Sequence, residues 1–142
     1  MRIPMKVDYG VRALVVLAMH YGERQVQTSE IASKQGIPES YLVQLMTTLN
    51  RCGLVQSRRG PHGGHSLAAD PSTINLHVVM TTLDGNTSAL DCLSYATDCI
   101  FADSCAQQEI WKSVEEAIEK VLTNITLEHL AQRQKYLSTL NV

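Results

Sequence analysis

Two short amphipathic stretches meet at a single glycine, Gly36, and this junction restricts the fold more than any other feature of the chain. Before it, Thr28 or Ser29 is placed to start a short helix over residues 30–35, with Glu30 suited to the positive first turn. After it, Pro38 occupies a first-turn position where a missing N–H costs nothing, and a second helix follows over 39–52. Tyr41, Leu42, Leu45, Met46 and Leu49 form the apolar stripe of that helix, and Gly53 ends it. A longer amphipathic helix over 7–21 precedes the pair. This order is the pattern of a helix-turn-helix unit.

The next segment changes period. Residues 54–59 alternate as a strand, the cluster Gly60-Pro61-His62-Gly63-Gly64 makes a turn, and 65–68 reads as the return strand. Beside a helix-turn-helix, such a hairpin is a wing. A further helix is expected over 74–84, then a stretch without periodicity over 85–104, a long amphipathic helix from 105 or 106 to 122, and a last helical piece over 127–137. The fold class is therefore mainly α with a small β-hairpin: a winged helix-turn-helix with an added long helix. Three parts are expected: a DNA-binding unit (1–84), a cysteine-containing loop (85–104) and a dimerisation helix with its C-terminal segment (105–142). The stripe Ile110, Val114, Ala117, Ile118 and Val121 suits a symmetric homodimer better than water.

Charge sharpens the functional reading. The net charge is −2, which by itself does not favour nucleic acid. Its distribution does: residues 1–67 hold eight Lys/Arg against four Asp/Glu, and 68–142 hold four against ten. A basic front half suits double-stranded DNA. The second helix of the unit would present Glu39, Ser40, Tyr41, Val43, Gln44 and Thr47 to the major groove, with Tyr41 shared between the core and the surface. Arg58, Arg59 and His62 would come from the wing, the two arginines reading a narrow minor groove or lying on a solvated strand edge, and the wing glycines would let its backbone approach phosphates.

No apolar run reaches about 18 residues, so no membrane span is expected. The apolar run 13–19 is flanked by charge and lacks a cleavage pattern, so a cytoplasmic protein is expected. No Ser/His/Asp order, phosphate-binding glycine loop or metalloprotease motif is present, and no enzyme is expected. The histidines are scattered; His62 and His65 fall in the wing, facing phosphate or solvent.

Four cysteines remain: Cys52, Cys92, Cys99 and Cys105. Cys52 sits at a helix end beside apolar residues and reads as a small buried hydrophobe. The other three fall within fourteen residues, a spacing that fits an iron–sulfur cluster, a structural zinc ion or redox-active thiols.

The combined order resembles the IscR, NsrR and RirA family of winged-helix regulators. The resembling residues are Asp8-Tyr9-Gly10-Val11-Arg12-Ala13-Leu14, Gly36-Ile37-Pro38-Glu39-Ser40-Tyr41-Leu42, Arg59-Gly60-Pro61-His62-Gly63-Gly64, the three later cysteines and Asn124-Ile125-Thr126-Leu127. The resemblance covers nearly the whole chain. It implies a transcription regulator, likened to repressors, with an iron–sulfur cluster ([2Fe–2S] or [4Fe–4S]) on Cys92, Cys99 and Cys105. Two departures stand out from IscR: the first cysteine spacing is one residue longer, and Gln108 replaces a ligand histidine. NsrR-like members use an acidic residue near the partner's N-terminus, which makes Asp8 the implied fourth ligand. A carboxylate there also suits the positive end of the first helix, and Glu109 is a local alternative. Two other readings stay open: a cluster-free thiol switch of the same fold, and a metal-binding interaction module that does not bind DNA.

Overall fold

Helix α1 (Met5–Met19) runs through the centre of the molecule, and Ala13, Leu14 and Leu17 on it are fully enclosed. In this computed structural model the described residues are 2–85, 88, 90–94, 99–101 and 104–141, with only the backbone of Asp91 and Ser94 described. Around α1 lie α2 (Thr28–Gln35), α3 (Glu39–Arg51), α4 (Leu76–Asp84) and α7 (Leu127–Leu140). Their buried faces supply Ile31, Leu42, Leu45, Leu49, Val79, Leu83, Leu127 and Ala131 to one core. Gly10 permits the approach of α4, since a Cβ there would collide with the Leu83 side chain. Each buried leucine contributes about 1.5–3 kcal/mol of apolar transfer, so this core carries most of the stability.

The helix-turn-helix forms as its residues require. Gly36 ends α2 in the left-handed conformation at φ 63°, and its N–H donates to the Ala32 carbonyl. Pro38 precedes α3, whose Leu42, Leu45, Met46 and Leu49 are all buried. The wing is an antiparallel pair of β1 (Val55–Arg58) and β2 (Gly64–Leu67), with Val55 opposite Leu67 and Arg58 opposite Gly64. This mainly helical, two-stranded architecture is the expected winged helix-turn-helix.

The chain closes on itself through two isolated backbone bridges, Val26 with His65 and Asn75 with Thr126. The second sets α7 against α1: Leu127 N–H donates to the Ile74 carbonyl at 2.9 Å, and Leu76 N–H to that of Ile125 at 2.9 Å. Thr126 and His129 then form a reciprocal capping box that starts α7.

Several expectations need correction. Cys52 is exposed rather than buried, because it is the C-cap of α3 and points away from the stripe one turn earlier. Two of the wing glycines also have a part in the hairpin itself, beside any approach to phosphate. A Cβ on Gly63 would strike the Arg58 carbonyl oxygen, and Gly64, at φ 145°, would bring one within 2.8 Å of the Val26 oxygen. Neither Thr28 nor Ser29 caps α2; Thr28 is its first residue. Within the segment expected to be irregular, Asp91–Ser94 forms the short helix α5, and much of the remainder lies outside the described residues. Helix α6 (Ala106–Asn124) buries no residue: Val114, Ile118 and Leu122 lean half-covered toward the body, whereas Ile110, Ala117 and Val121 are open.

Candidate nucleic-acid interface and cysteine segment

Helix α3 presents Glu39, Ser40, Val43, Gln44 and Thr47 to solvent, as its stripe requires once the opposite face is buried. Tyr41 turns inward and meets Tyr9 edge-on, with ring centroids 5.6 Å apart, so its ring belongs to the α1–α3 junction. Val43 and Thr47 share an open groove of about 630 Å³ with Arg59, the first residue after β1. Thr47 donates its hydroxyl hydrogen to the Val43 carbonyl at 3.0 Å, so toward the groove its oxygen is only an acceptor.

Arg58 and Arg59 part company because neighbouring strand residues face opposite sides. Arg58 lines a second groove, with Gln56 and Ser66, on the far side of the hairpin. His62 is exposed at the wing tip, and Glu39, Ser40 and Gln44 lie outside the groove that joins α3 to Arg59.

The groove also contains Asn50, Arg51 and Ser57, which pattern reading passed over, and Thr28 and His65, which it placed at a helix start and in the wing. His65, expected to face phosphate or solvent, is half-buried and lies 2.7 Å from Thr28 Oγ1 through Nε2 and 2.7 Å from Ser57 Oγ through Nδ1. Burial holds its pKa below the ordinary histidine value. No local sequence motif reveals this contact, since its partners lie 37 and 8 residues away.

The cysteine segment precedes and opens the long helix α6. Cys92 is on α5, Cys105 is the N-cap of α6, and Cys99 is exposed between them; all are free thiols. Cys92 and Gln108 line one open cavity of about 420 Å³, together with Lys112, Glu115, Glu116 and Glu119. Gln108, at the position where the resemblance expects histidine, thus lines the same cavity as Cys92. Glu109 is exposed and does not line that cavity. Residues 95–98, within the lengthened cysteine spacing, lie outside the described residues. Among the described residues no three Cys, His, Asp or Glu side chains converge. Asp8 lies on α1 and is bound by Arg12, whose Nε and Nη2 each donate to a carboxylate oxygen at 3.0 Å.

Among the described residues no helix is long and apolar enough to cross a membrane. A family model described as Rrf2, iron-dependent transcriptional regulator, matches residues 3–133. The chain is 37% identical over 137 residues to the HTH-type transcriptional regulator IscR of Yersinia enterocolitica, covering 96% of this chain and 83% of that one. It is 38% identical over 137 residues to IscR of Serratia proteamaculans, with the same coverage. Among solved structures, CymR, the global cysteine regulator of B. subtilis, aligns with a TM-score of 0.81 at 32% identity, over 94% of this chain and 98% of that one. IscR of T. potens aligns at 0.78 and 34% identity, over 94% and 88%. With its helix-turn-helix, wing and full-length likeness to these regulators, the chain belongs to the Rrf2 family of DNA-binding transcriptional regulators, and not to a family of enzymes.

Proposed function

We propose that this regulator binds operator DNA as a homodimer, represses from it, and reads iron, cluster supply, redox state or nitric oxide through an iron–sulfur cluster, [2Fe–2S] or [4Fe–4S]. In this reading residues 1–84 bind DNA, 85–104 hold the cluster with Cys105, and 105–142 pair the subunits. The exposed residues of α3 (Glu39, Ser40, Val43, Gln44 and Thr47) meet the major groove, with Tyr41 setting their helix against α1. Arg59 enters the minor groove, and Arg58 and His62 lie toward the backbone.

The observation that carries the cluster reading is the donor set: three free thiols within fourteen residues of sequence, on α5, after it and at the start of α6, in a chain resembling IscR. Their chemistry fits the group, since soft thiolates are the usual holders of iron–sulfur iron. Cys92, Cys99 and Cys105 would hold it, and Asp8 of the partner subunit would supply the fourth ligand. When bound, such a cluster supplies an iron whose oxygen ligand is easily exchanged. Gln108 is a poor iron ligand, and from the cavity it lines with Cys92 its amide would instead serve as a hydrogen-bond donor to sulfur.

A second reading, a cluster-free thiol switch, has its own support. Cys52 and Cys99 are exposed free thiols. The likeness also extends to Staphylococcus aureus CymR, solved in an oxidized form, at 29% identity and a TM-score of 0.75.

Anaerobic purification with iron and sulfide analysis separates the two. The cluster reading expects a coloured protein that loses iron in Cys92→Ala, Cys99→Ala and Cys105→Ala and keeps it in Cys52→Ala. A colourless, iron-free protein whose DNA affinity follows thiol oxidation establishes the switch instead. The absence of any salt-dependent shift on DNA from its own promoter would remove both.

A further inference from the structure

The side chain of His65 links the wing to α2 directly and to α3 through Ser57. It stands on β2; its Nε2 reaches Thr28 at the start of α2, and its Nδ1 reaches Ser57 on β1, both at 2.7 Å. Ser57 Oγ in turn accepts from Asn50 Nδ2, on α3, at 3.0 Å. We propose that His65 is a positioning residue for DNA recognition: its ring sets the distance and angle between the recognition helix and the Arg59 side of the wing.

The hydrogens can be assigned from the groups themselves. Asn50 Nδ2 can only donate, so Ser57 Oγ accepts there and its own proton is free to go to His65 Nδ1. The remaining ring hydrogen is then on Nε2 and donates to Thr28 Oγ1. In this arrangement the links run in one direction, from Asn50 through Ser57 and His65 to Thr28, with Nδ1 accepting, which a neutral ring allows and an imidazolium does not. Two facts favour that state. Burial disfavours the charged imidazolium. The charged residues lining the same groove, Arg51 and Arg59, are both cations, and no carboxylate lines it with them.

The backbone explains why the ring matters for position. His65 is anchored by two main-chain bonds to Val26, at 2.8 and 2.9 Å, which fix β2 against the segment before α2. Among the described residues β1 itself makes no such main-chain bond to a helix; Leu54 just before it donates to the Leu49 carbonyl at 3.0 Å, Val55 is buried, and along the strand a side-chain hydrogen bond to α3 runs through Ser57. The His65–Ser57–Asn50 chain therefore decides how far Arg59 stands from Val43 and Thr47 across the groove. In a duplex the two grooves are at fixed separations, so an unconstrained wing loses sequence discrimination before it loses general attraction to phosphate. The bond to His65 Nε2 engages the Thr28 hydroxyl at the first position of α2.

The inference rests on reading the α3–wing face as the DNA surface, and Arg59→Ala measured in parallel reports on that reading separately. The probes are a duplex selected by the wild-type protein from a randomised library and a scrambled duplex of equal composition, titrated by fluorescence anisotropy. His65→Phe is expected to weaken binding to the selected duplex by about three- to tenfold, the equivalent of one or two hydrogen bonds, with binding to the scrambled duplex unchanged. Thr28→Val is expected to reduce the same ratio and Thr28→Ser to restore it. Thr28→Val and Ser57→Ala should be non-additive with His65 present and additive in His65→Phe. If His65→Phe does not fold, the Thr28 and Ser57 cycle in the wild-type background decides alone, non-additivity supporting the role. Additive effects there, or equal losses on both duplexes, overturn the inference. A loss with Arg59→Ala but none with the His65, Thr28 or Ser57 variants also overturns it while leaving the DNA surface standing. No loss with Arg59→Ala overturns that surface and the inference with it.

Discussion

Asp8 and Arg12 face each other one turn apart on α1, each carboxylate oxygen 3.0 Å from a guanidinium nitrogen. The same guanidinium reaches the Gln35 carbonyl at 3.4 Å through Nη1 and lies 5.6 Å over the Tyr9 ring. Asp8 thus orients an arginine that ties α1 to the end of α2, beside the helix-turn-helix turn. As a surface i,i+4 pair it is worth only about 0.3–0.5 kcal/mol, so the contact leaves Asp8 available to another cation. Asp8→Ala is expected to fold normally and retain iron, but to lose its colour faster in air and to show a blunted change in DNA affinity on iron loss. Absorbance decay and anisotropy on the same preparation check this. Behaviour equal to wild type in both confines Asp8 to its bond with Arg12.

Arg59 lines the groove that holds Val43 and Thr47 of α3, whereas Arg58 lines another to which α3 contributes Asn50. Arg59→Ala should weaken binding to the selected operator by about 1–3 kcal/mol, the scale of one good groove contact. Arg58→Ala, on the opposite face of the hairpin, should cost less and mainly lower the salt dependence. Titrations at two or more salt concentrations distinguish them, and equal losses would contradict the different placement of the two side chains.

Legibility in the sequence followed the range of the interactions. Helix α3 was readable because Leu42, Leu45, Met46 and Leu49 repeat at the helical period, and α2 because Gly36 marks its end. The four residues of α5 are too few for any period to show. Cys52 has apolar neighbours in sequence but caps a helix, and position overrides that neighbourhood. His65 was misjudged because its partners come from α2 and β1, and a contact across 37 residues leaves no local trace. The close approach of Gly63 to Arg58 and of Gly64 to Val26 is set by the folded hairpin and leaves no separate mark in the sequence.

Glu30 connects two cations, accepting from Arg24 Nη1 and Nη2 at 2.9 and 2.6 Å and from Lys34 Nζ at 2.7 Å. These bonds, that from Arg24 first, hold its carboxyl down at about 2, against an ordinary 4.5. A depressed folded-state pKa means that the contribution is complete above about 4.5 and disappears as the pH falls toward about 2. Because the side chains are largely solvated, it amounts to about 1 kcal/mol. Glu30→Gln should therefore lower stability at pH 7 by that amount and make no difference near pH 2. Urea unfolding of the two proteins across this window checks the sign, and a gap that widens on acidification would contradict it.

Helix α6 is 19 residues long and buries none of them, which is unusual for an amphipathic helix in a folded chain. Ile110 and Val121 are 63% and 62% exposed, and with Ala117 they recur at i, i+7 and i+11, one face of the helix. The half-covered Val114, Ile118 and Leu122 show which side already leans on α4, so the open face is directed outward. An apolar strip so placed suits a second copy of the same strip, since a twofold axis lets each helix cover the other with identical residues. The wild-type protein is expected to be a homodimer at micromolar concentration by light scattering. Ile110→Asp with Val121→Lys should give a folded monomer, recognisable by an unchanged helical spectrum. That monomer should bind a single half-site at near wild-type strength but lose the gain from a palindromic operator, because two linked wings bind one duplex at a high effective concentration. A wild-type monomer, or a double variant that remains dimeric, would place the subunit contact elsewhere.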